Sequence, residues 1–381
     1  QISGRDKSKL VFQSRSLPPL GSKSFEVVAG ETNTEDTITV RENRLENSVI
    51  SLEIQDNGTV AVRDKKRGRD VLSSSGNRLV AYRDIPTEFD AWEIEGDIYE
   101  VSEELPPPSA AIALEEGPVR GILRQEREFG DSSMVQDIII YAGLKRVDFE
   151  TRVDWREENT LLKTHFPVDV KSEEATYEVQ YGHYDRLTHN NTSWDKARFE
   201  VPHQKWVDVS EYGYGAALLN DCKYGVNVDG ANIGLSLLRA PKSPDPEADM
   251  IAHEFTYSFL PHHGDFRESG VIRQAYDLNS EPGVQSCDKL ESIEPFLEVG
   301  DDGVVVEAIK RSEDTSQAIV IRCYEAWGRQ VETSLKLGFE PERIFRINLI
   351  EDEKEELAQE ESGLKLNFSP FEIKSLKIFY G

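Results

Sequence analysis

The stretch from His183 to His203 concentrates side chains that can do chemistry between segments that otherwise alternate like strands. Imidazole, carboxylate, amide and guanidinium groups occur there together with Trp194. Planar polar groups make paired hydrogen bonds to vicinal hydroxyls, so the mixture suits a polyhydroxylated ligand. Side-chain to backbone hydrogen bonds that hold an irregular excursion between strands are the alternative, and for any single residue that role is the more frequent one. His189 and Asp195 are the site candidates in this stretch.

A second polar cluster follows an apolar strand-like run. Residues 216–219 are Ala-Ala-Leu-Leu, and Asn-Asp-Cys-Lys-Tyr comes directly after them, before a glycine. Loops at strand ends commonly carry binding residues. Asp221 and Tyr224 are therefore the first candidates for lining a ligand pocket, ahead of Arg239 and His262. Polar groups that satisfy one another within a turn are the alternative.

The histidines are not spaced like metal ligands. His253 is followed four residues later by Tyr257, where a helical zinc site would carry its second histidine. His262 and His263 are adjacent and would point to opposite faces of a strand. We therefore predict no metal site in this chain. The sequence also lacks a Gly-x-Ser-x-Gly elbow, a phosphate-binding glycine loop and a dinucleotide fingerprint, which argues against the corresponding enzyme classes.

Several blocks, taken in order, resemble one enzyme family. The main blocks are 183–203, 205–215, 217–225, 235–241 and 253–264, and supporting blocks are 84–92, 147–155, 161–167 and 369–378. This series resembles the C-terminal β half of the glycoside hydrolase family 38 α-mannosidases, and most closely their cytosolic-type branch. The resemblance spans nearly the whole chain.

The resemblance implies an all-β fold. A galactose-mutarotase-like supersandwich would be followed by a smaller C-terminal β-sandwich and preceded by the remnant of another β module. The corresponding domains would be 1–31, 32–284 and 285–381, the first being the end of the preceding module with a linker.

The resemblance also implies an activity, which would belong to a longer protein. Family members are retaining, zinc-dependent enzymes that hydrolyse terminal α-mannosyl residues of oligosaccharides. Their nucleophile, acid and zinc ligands lie in an N-terminal catalytic domain, and no block here resembles those. This chain would carry no catalytic residue and no zinc, would brace the catalytic domain and line part of its pocket, and would be inactive alone. The alternative is a free-standing carbohydrate-binding or mutarotase-like protein.

Composition restricts the partners and the compartment. Against 44 lysines and arginines the chain has 71 acidic residues, a net charge of −27, which repels phosphate backbones and anionic lipid but not neutral sugar. No apolar run approaches the ~18 residues that cross a bilayer. Three scattered cysteines favour a reducing compartment, so we expect a cytoplasmic protein rather than a vacuolar or lysosomal one. The sequence begins at Gln1 and reads as part of a longer chain, which leaves open an upstream targeting signal. A homo-oligomer is also compatible with the sequence.

Alternating apolar residues predict strands along most of the chain, among them 48–54, 59–62, 146–155 and 318–324. Residues 24–28 read as the last strand of a preceding module, and 32–36 as a polar joint. Residues 282–288 read as a linker. The acidic run 351–356, with glutamates at 360 and 361, is predicted to be a solvated loop or an exposed helical turn.

Overall fold

A computed structural model describes residues 6, 9–14, 17–28, 36–289, 292–314, 316–359 and 363–381. It comprises two compact units as far as residues are described, 1–13 with 31–178 and 185–281 in the first, and 14–30 with 179–184 and 282–381 in the second. The predicted boundary between 31 and 32, most of the predicted joint 32–36 and the glutamates at 360 and 361 lie outside the described residues. The division into three domains stays a prediction.

Among the described residues up to 187, the chain forms fourteen strands. They are β1 (Thr39–Arg41), β2 (Arg44–Glu46), β3 (Ile50–Ile54), β4 (Val60–Asp64), β5 (Arg69–Asp70), β6 (Arg78–Arg83), β7 (Ser102–Glu104), β8 (Ala111–Glu116), β9 (Arg120–Phe129), β10 (Ser132–Tyr141), β11 (Val147–Asp154), β12 (Thr160–Pro167), β13 (Glu174–Val179) and β14 (Gly182–Leu187).

The remaining described elements include two short helices. They are α1 (Ser193–Lys196), β15 (Val201–Pro202), β16 (Trp206–Glu211), β17 (Tyr214–Asn220), β18 (Gly225–Asp229), β19 (Asn232–Arg239), β20 (Ala252–His263), α2 (Val271–Asn279), β21 (Leu297–Val299), β22 (Val304–Arg311), β23 (Ala318–Glu325), β24 (Val331–Leu337), β25 (Arg343–Ile347), β26 (Glu353–Leu357), β27 (Leu364–Phe368) and β28 (Ile373–Phe379).

These strands form five antiparallel sheets. A five-stranded sheet has the order β1-β2-β3-β4-β5, a nine-stranded sheet the order β14-β13-β16-β17-β20-β11-β10-β9-β8, and a six-stranded sheet the order β15-β18-β19-β12-β6-β7. In the second unit, β21-β24-β27 and β22-β23-β28-β25-β26 form the other two. The all-β prediction is confirmed.

Residue alternation explains why the nine-stranded sheet can pack on one face. In β11, Val147, Phe149, Thr151 and Val153 are buried, whereas Arg152 between the last two is exposed. Successive strand side chains point to opposite faces, so the first set faces the core. We call the other face of this sheet the outer face.

The core of the first unit lies between the nine-stranded and six-stranded sheets. Phe166 of β12 packs against Phe149 of β11 and stacks on Phe259 of β20, with ring centroids 5.6 and 5.0 Å away. Tyr257 lies in the same cluster, and its hydroxyl donates to the Asn77 side chain at 2.6 Å. Burying an aromatic side chain stabilises a fold by about 1.5–3 kcal/mol. The second unit has its own apolar core, which includes Ile321, Cys323 and Leu376.

Two local predictions differ from the structure, and one helix was not predicted. Residues 17–28 form no strand, and Ser22 makes a single bridge to Ile293. The acidic run is partly a strand, because β26 pairs with β25 at the edge of its sheet while its side chains stay exposed. The helix α2 was not predicted, and it packs on β16 and β17. No helix in the described part of the chain has the length and apolar character needed to span a membrane.

Candidate functional site

The turn after β17, residues 220–225, holds the first two candidates. Asp221 joins β20 through both its backbone and its side chain, since its N–H donates to the Thr256 carbonyl at 3.1 Å and its Oδ2 accepts the Thr256 N–H at 2.8 Å. Its Oδ1 is buried without a conventional hydrogen-bond partner in the described structure. Burial, together with the Asp221 carboxylate, raises the pKa of Cys222 to about 11, so this thiol is not an activated nucleophile.

Tyr224 engages the fold through its backbone. Its carbonyl accepts the backbone N–H of His203 at 2.9 Å and lies 3.0 Å from His203 Nδ1. The second ring nitrogen of His203 lies 3.0 Å from the side-chain amide nitrogen of Asn220. His203 is buried, and burial lowers its pKa to about 4, so the neutral imidazole anchors the turn. The Tyr224 side chain is 48% exposed and is available to a ligand.

Arg239 holds the loop that follows β6. Its guanidinium pairs with the Asp84 carboxylate and donates to the carbonyls of Asp90, Ala91 and Glu93. Asp90 in turn accepts the backbone N–H groups at 242 and 243. We call residues 84–93 the aromatic loop, because Phe89 and Trp92 are 62% and 73% exposed there. Arg239 is thus committed to positioning this loop.

His262 lies on the outer face and pairs with the buried Asp208 carboxylate, while its Nδ1 is buried without a hydrogen-bond partner in the described structure. Its Nε2 lies 2.6 Å from Oδ2 of Asp208, whose other oxygen accepts the Ser210 hydroxyl at 2.6 Å. His262 is 3% exposed, so a ligand reaches it only if covering side chains move.

His189 and Asp195 lie together in the excursion between β14 and β15. Asp195 and Thr192 form a reciprocal cap on the one-turn helix α1, and the Thr192 hydroxyl is the main cause that lowers the pKa of Asp195. His189 Nδ1 lies 3.8 Å from the Asp195 carboxylate. Capping accounts for the position of Asp195, while Trp194 beside it projects outward, 76% exposed.

The six candidates thus fall into four places. Asp221 and Tyr224 share a turn, and His189 and Asp195 are neighbours. In the described structure no hydrogen bond or ion pair joins Arg239 or His262 to any other candidate. Their roles toward a ligand stay predictions.

The sheet brings together a further set that sequence reasoning missed. Arg124, Asp137, Glu150 and Thr256 are direct cross-strand partners on β9, β10, β11 and β20. We call these four residues the polar row. Glu150 lies between core-facing Phe149 and Thr151, so the row is on the outer face.

The polar row lies in a shallow depression of about 90 Å³, which also includes Val135, Arg152 and Glu254. Arg124 binds Asp137 through two hydrogen bonds of 2.7 and 2.9 Å, and Arg152 pairs with Glu254 at 3.1 Å. Enclosed ligand pockets usually exceed ~300 Å³, so this depression can hold one face of a ligand.

A second depression, of about 250 Å³, adjoins the aromatic loop. Ile85, Pro86, Ile98 and Val101 give it apolar walls, and its polar lining residues are Arg83, Asp84, Glu95, Asp97 and Glu100. The Thr87 N–H donates to Glu95 at 2.6 Å and lowers the pKa of that carboxyl group. Because its charged lining residues are mostly acidic, this depression suits a neutral or cationic surface rather than an anion.

Zinc does not fit the described residues. Among them, no three histidine, cysteine or acidic side chains are grouped closely enough to hold a metal ion.

Comparison with known proteins identifies the family. Residues 45–247 match the glycosyl hydrolases family 38 C-terminal domain, and residues 303–376 match the family 38 C-terminal beta sandwich domain. The chain belongs to glycosyl hydrolase family 38, of which it contains C-terminal domains. The predicted family is confirmed.

Similar proteins include "Alpha-mannosidase 2C1" of Homo sapiens, 37% identical over 95% of this chain and 35% of the relative. "Alpha-mannosidase G" of Dictyostelium discoideum is also 37% identical, over 87% of this chain and 32% of the relative. A solved α-mannosidase from Enterococcus faecalis V583 has the same fold, with a TM-score of 0.75 at 17% identity, over 93% of this chain and 44% of that one. The chain thus spans about a third of the length of the curated relatives.

Proposed function

We propose that this chain is the C-terminal, non-catalytic portion of a retaining, zinc-dependent α-mannosidase that removes terminal α-mannosyl residues from oligosaccharides. Family membership across both β units, with longer relatives named as α-mannosidases, is the observation that carries the proposal. The nucleophile, the acid and the zinc ligands then belong to the rest of the protein, which supplies the covalent route of a retaining glycosidase.

The chain's first role in this proposal is to brace the catalytic portion. The aromatic loop supports that role, because the partly buried guanidinium of Arg239 holds it through several carbonyl groups while Phe89 and Trp92 stay largely exposed. Phe89 also adopts a left-handed backbone conformation, with φ of 53°, which costs a non-glycine residue energy. Exposed apolar groups on an ordered loop are typical of interaction surfaces. In this proposal the partner is the N-terminal catalytic domain of the same, longer protein.

The second role is to contribute to the substrate pocket. Tyr224 presents an exposed aromatic ring and hydroxyl beside Asp221, on a turn anchored by His203. Aromatic rings pack against the C–H face of sugars, and carboxylates accept hydroxyl protons. These two remain ahead of the other four candidates. Arg239 and Asp195 are engaged within the fold, His262 is 3% exposed, and His189 lies beside the Asp195 carboxylate.

The proposed setting is the cytoplasm. Cys222, Cys287 and Cys323 are unpaired, which suits a reducing compartment. The resemblance to the cytosolic-type branch points the same way. Assembly into a homo-oligomer stays open.

The longer natural protein and the 381-residue chain, assayed side by side on an aryl α-mannoside with and without zinc, test the proposal. We expect turnover by the longer protein, its loss on zinc chelation, and none by the isolated chain, because the chain lacks the covalent route. Turnover by the pure chain would contradict a non-catalytic role. A longer protein that binds sugar without hydrolysing it would favour the carbohydrate-binding alternative.

A further inference from the structure

We infer that the polar row is a subsite for the inner sugar units of an oligosaccharide whose terminal residue lies in the pocket. This inference rests on the proposed function, and it concerns the outer face of the nine-stranded sheet rather than the pocket itself. The following observations on position, chemistry and cost support it.

The row leads away from the Asp221 turn. Thr256 ends the row on β20, and its backbone is bonded to Asp221 in both directions. Strands lie ~4.8 Å apart, so the row extends roughly 14 Å from Thr256 to Arg124. An oligosaccharide that leaves a pocket beside Asp221 would meet hydroxyl, carboxylate and guanidinium groups in succession along this line.

The row's chemistry fits a neutral glycan. Two guanidinium groups, of Arg124 and Arg152, lie among the carboxylates of Asp137, Glu150 and Glu254, so donors and acceptors are both present and the charges nearly balance. Such planar groups form paired hydrogen bonds with vicinal hydroxyls. A polyanion would be repelled by a chain of net charge −27. The shallow, open depression also suits one side of an extended ligand better than an enclosed small molecule.

The row places negative charge on two adjacent strands. Asp137 and Glu150 are direct cross-strand partners, and like charges directly opposite each other destabilise a sheet. Arg124 compensates Asp137, which is only 6% exposed, whereas Glu150 is less buried and can meet a ligand. Sites that break a local rule of stability are where function is expected.

The test replaces Glu150 with alanine in the longer protein and in the 381-residue chain. In the longer protein we expect the ratio of kcat/KM for an α-mannosyl oligosaccharide to that for an aryl α-mannoside to fall about tenfold, because only the oligosaccharide reaches the row. Glu355→Ala is the matched control, since Glu355 also forms an exposed cross-strand pair, with Arg346 at 3.2 Å in the second unit, and should leave the ratio unchanged.

Direct binding separates failure of the subsite from failure of the proposed function. Isothermal titration of the 381-residue chain with the same oligosaccharide should give weak binding that Glu150→Ala reduces about tenfold. The melting temperature of the variant, measured alongside, should show that it remains folded. An active longer protein whose ratio is unchanged in Glu150→Ala would overturn the subsite alone. Absent hydrolysis with Glu150-dependent binding would overturn the α-mannosidase proposal and leave the sugar site. If the chain does not bind the oligosaccharide and the kcat/KM ratio does not change, the subsite proposal is rejected.

Discussion

Asp221 and Tyr224 share one turn, but they engage the fold through different atoms. Asp221 uses a side-chain oxygen to accept the Thr256 N–H, whereas Tyr224 uses its backbone carbonyl to hold His203. Removing the Tyr224 hydroxyl therefore disturbs no hydrogen bond described for that residue, and replacing Asp221 with asparagine leaves an acceptor oxygen in place. Contributions to the pocket and to the fold can be separated at these two positions.

Tyr224→Phe in the longer protein should lower kcat/KM for an α-mannoside about tenfold or more, because a hydrogen bond to a charged or developing charged group contributes about 1.5–3 kcal/mol. Its free energy of unfolding should stay within about 0.5 kcal/mol of the natural value, as for surface changes generally. Asp221→Asn should show a similar kinetic loss. Steady-state kinetics and urea unfolding measure the two quantities, and unchanged kcat/KM with reduced stability would assign these residues to bracing only.

The sequence alone selects this turn, but it does not reveal that His203 anchors it. A polar cluster between an apolar run and Gly225 predicts a strand end with exposed side chains. His203 lies seventeen or more residues away from its partners Asn220 and Tyr224. Only strand pairing brings them together, so local spacing carries no signal for the contact.

Sequence reasoning missed the polar row for the same reason, because its members lie on different strands. Alternation in β11 predicts that Glu150 faces away from the core, and the sequence supports that much. The row itself depends on the register of four strands that come from residues as far apart as Arg124 and Thr256. A slip of one residue would turn each side chain to the other face, and one sequence does not fix that register.

Short elements were missed for a different reason. Helix α2 has nine residues, and its N-cap is Gly270, with no side-chain cap. Its buried side chains are Val271, Ile272 and Ala275, and three apolar positions are too few to establish a helical period. In β26, charged side chains conceal a strand whose backbone pairs with β25. Tertiary packing and sheet pairing stabilise both elements.

The contact of His203 with the turn after β17 should make stability depend on pH. The unfolded imidazole titrates near ~6.5, whereas burial lowers the folded pKa to about 4. Between these values the unfolded state binds more protons, so this contribution is complete above the unfolded pKa and is lost as pH falls toward the folded one. Protonation would place a second donor against the Asn220 amide.

Lowering the pH from 7 to 5 should reduce the free energy of unfolding of both the natural chain and His203→Gln. We expect the reduction to be larger in the natural chain by about 2 kcal/mol. His165, whose pKa burial lowers to about 3, titrates alike in both proteins and cancels in the comparison. Urea unfolding at both pH values measures the difference. Equal pH dependence in the two proteins would mean that His203 takes up its proton within the folded chain.

The whole chain has 44 basic and 71 acidic residues, so its negative charges repel one another. This repulsion is strongest in the compact folded state, which it destabilises. Exposed ion pairs such as Arg63 with Asp70 oppose this, but each contributes only about 0–1 kcal/mol. Salt weakens both effects, so the sign of the salt response tells which is larger.

We expect the melting temperature to rise by about 2 °C or more from 10 mM to 300 mM NaCl, because screening shortens the range of repulsion from ~30 Å at 0.01 M to below ~10 Å above 0.1 M. Glu356→Lys, on the exposed edge strand β26, should raise the melting temperature at low salt and shrink the salt increment, since it changes the net charge by two units away from any buried group. Scanning calorimetry at both salt concentrations measures the effect. A melting temperature that falls with salt would mean that surface ion pairs, rather than net repulsion, dominate the electrostatic free energy of this chain.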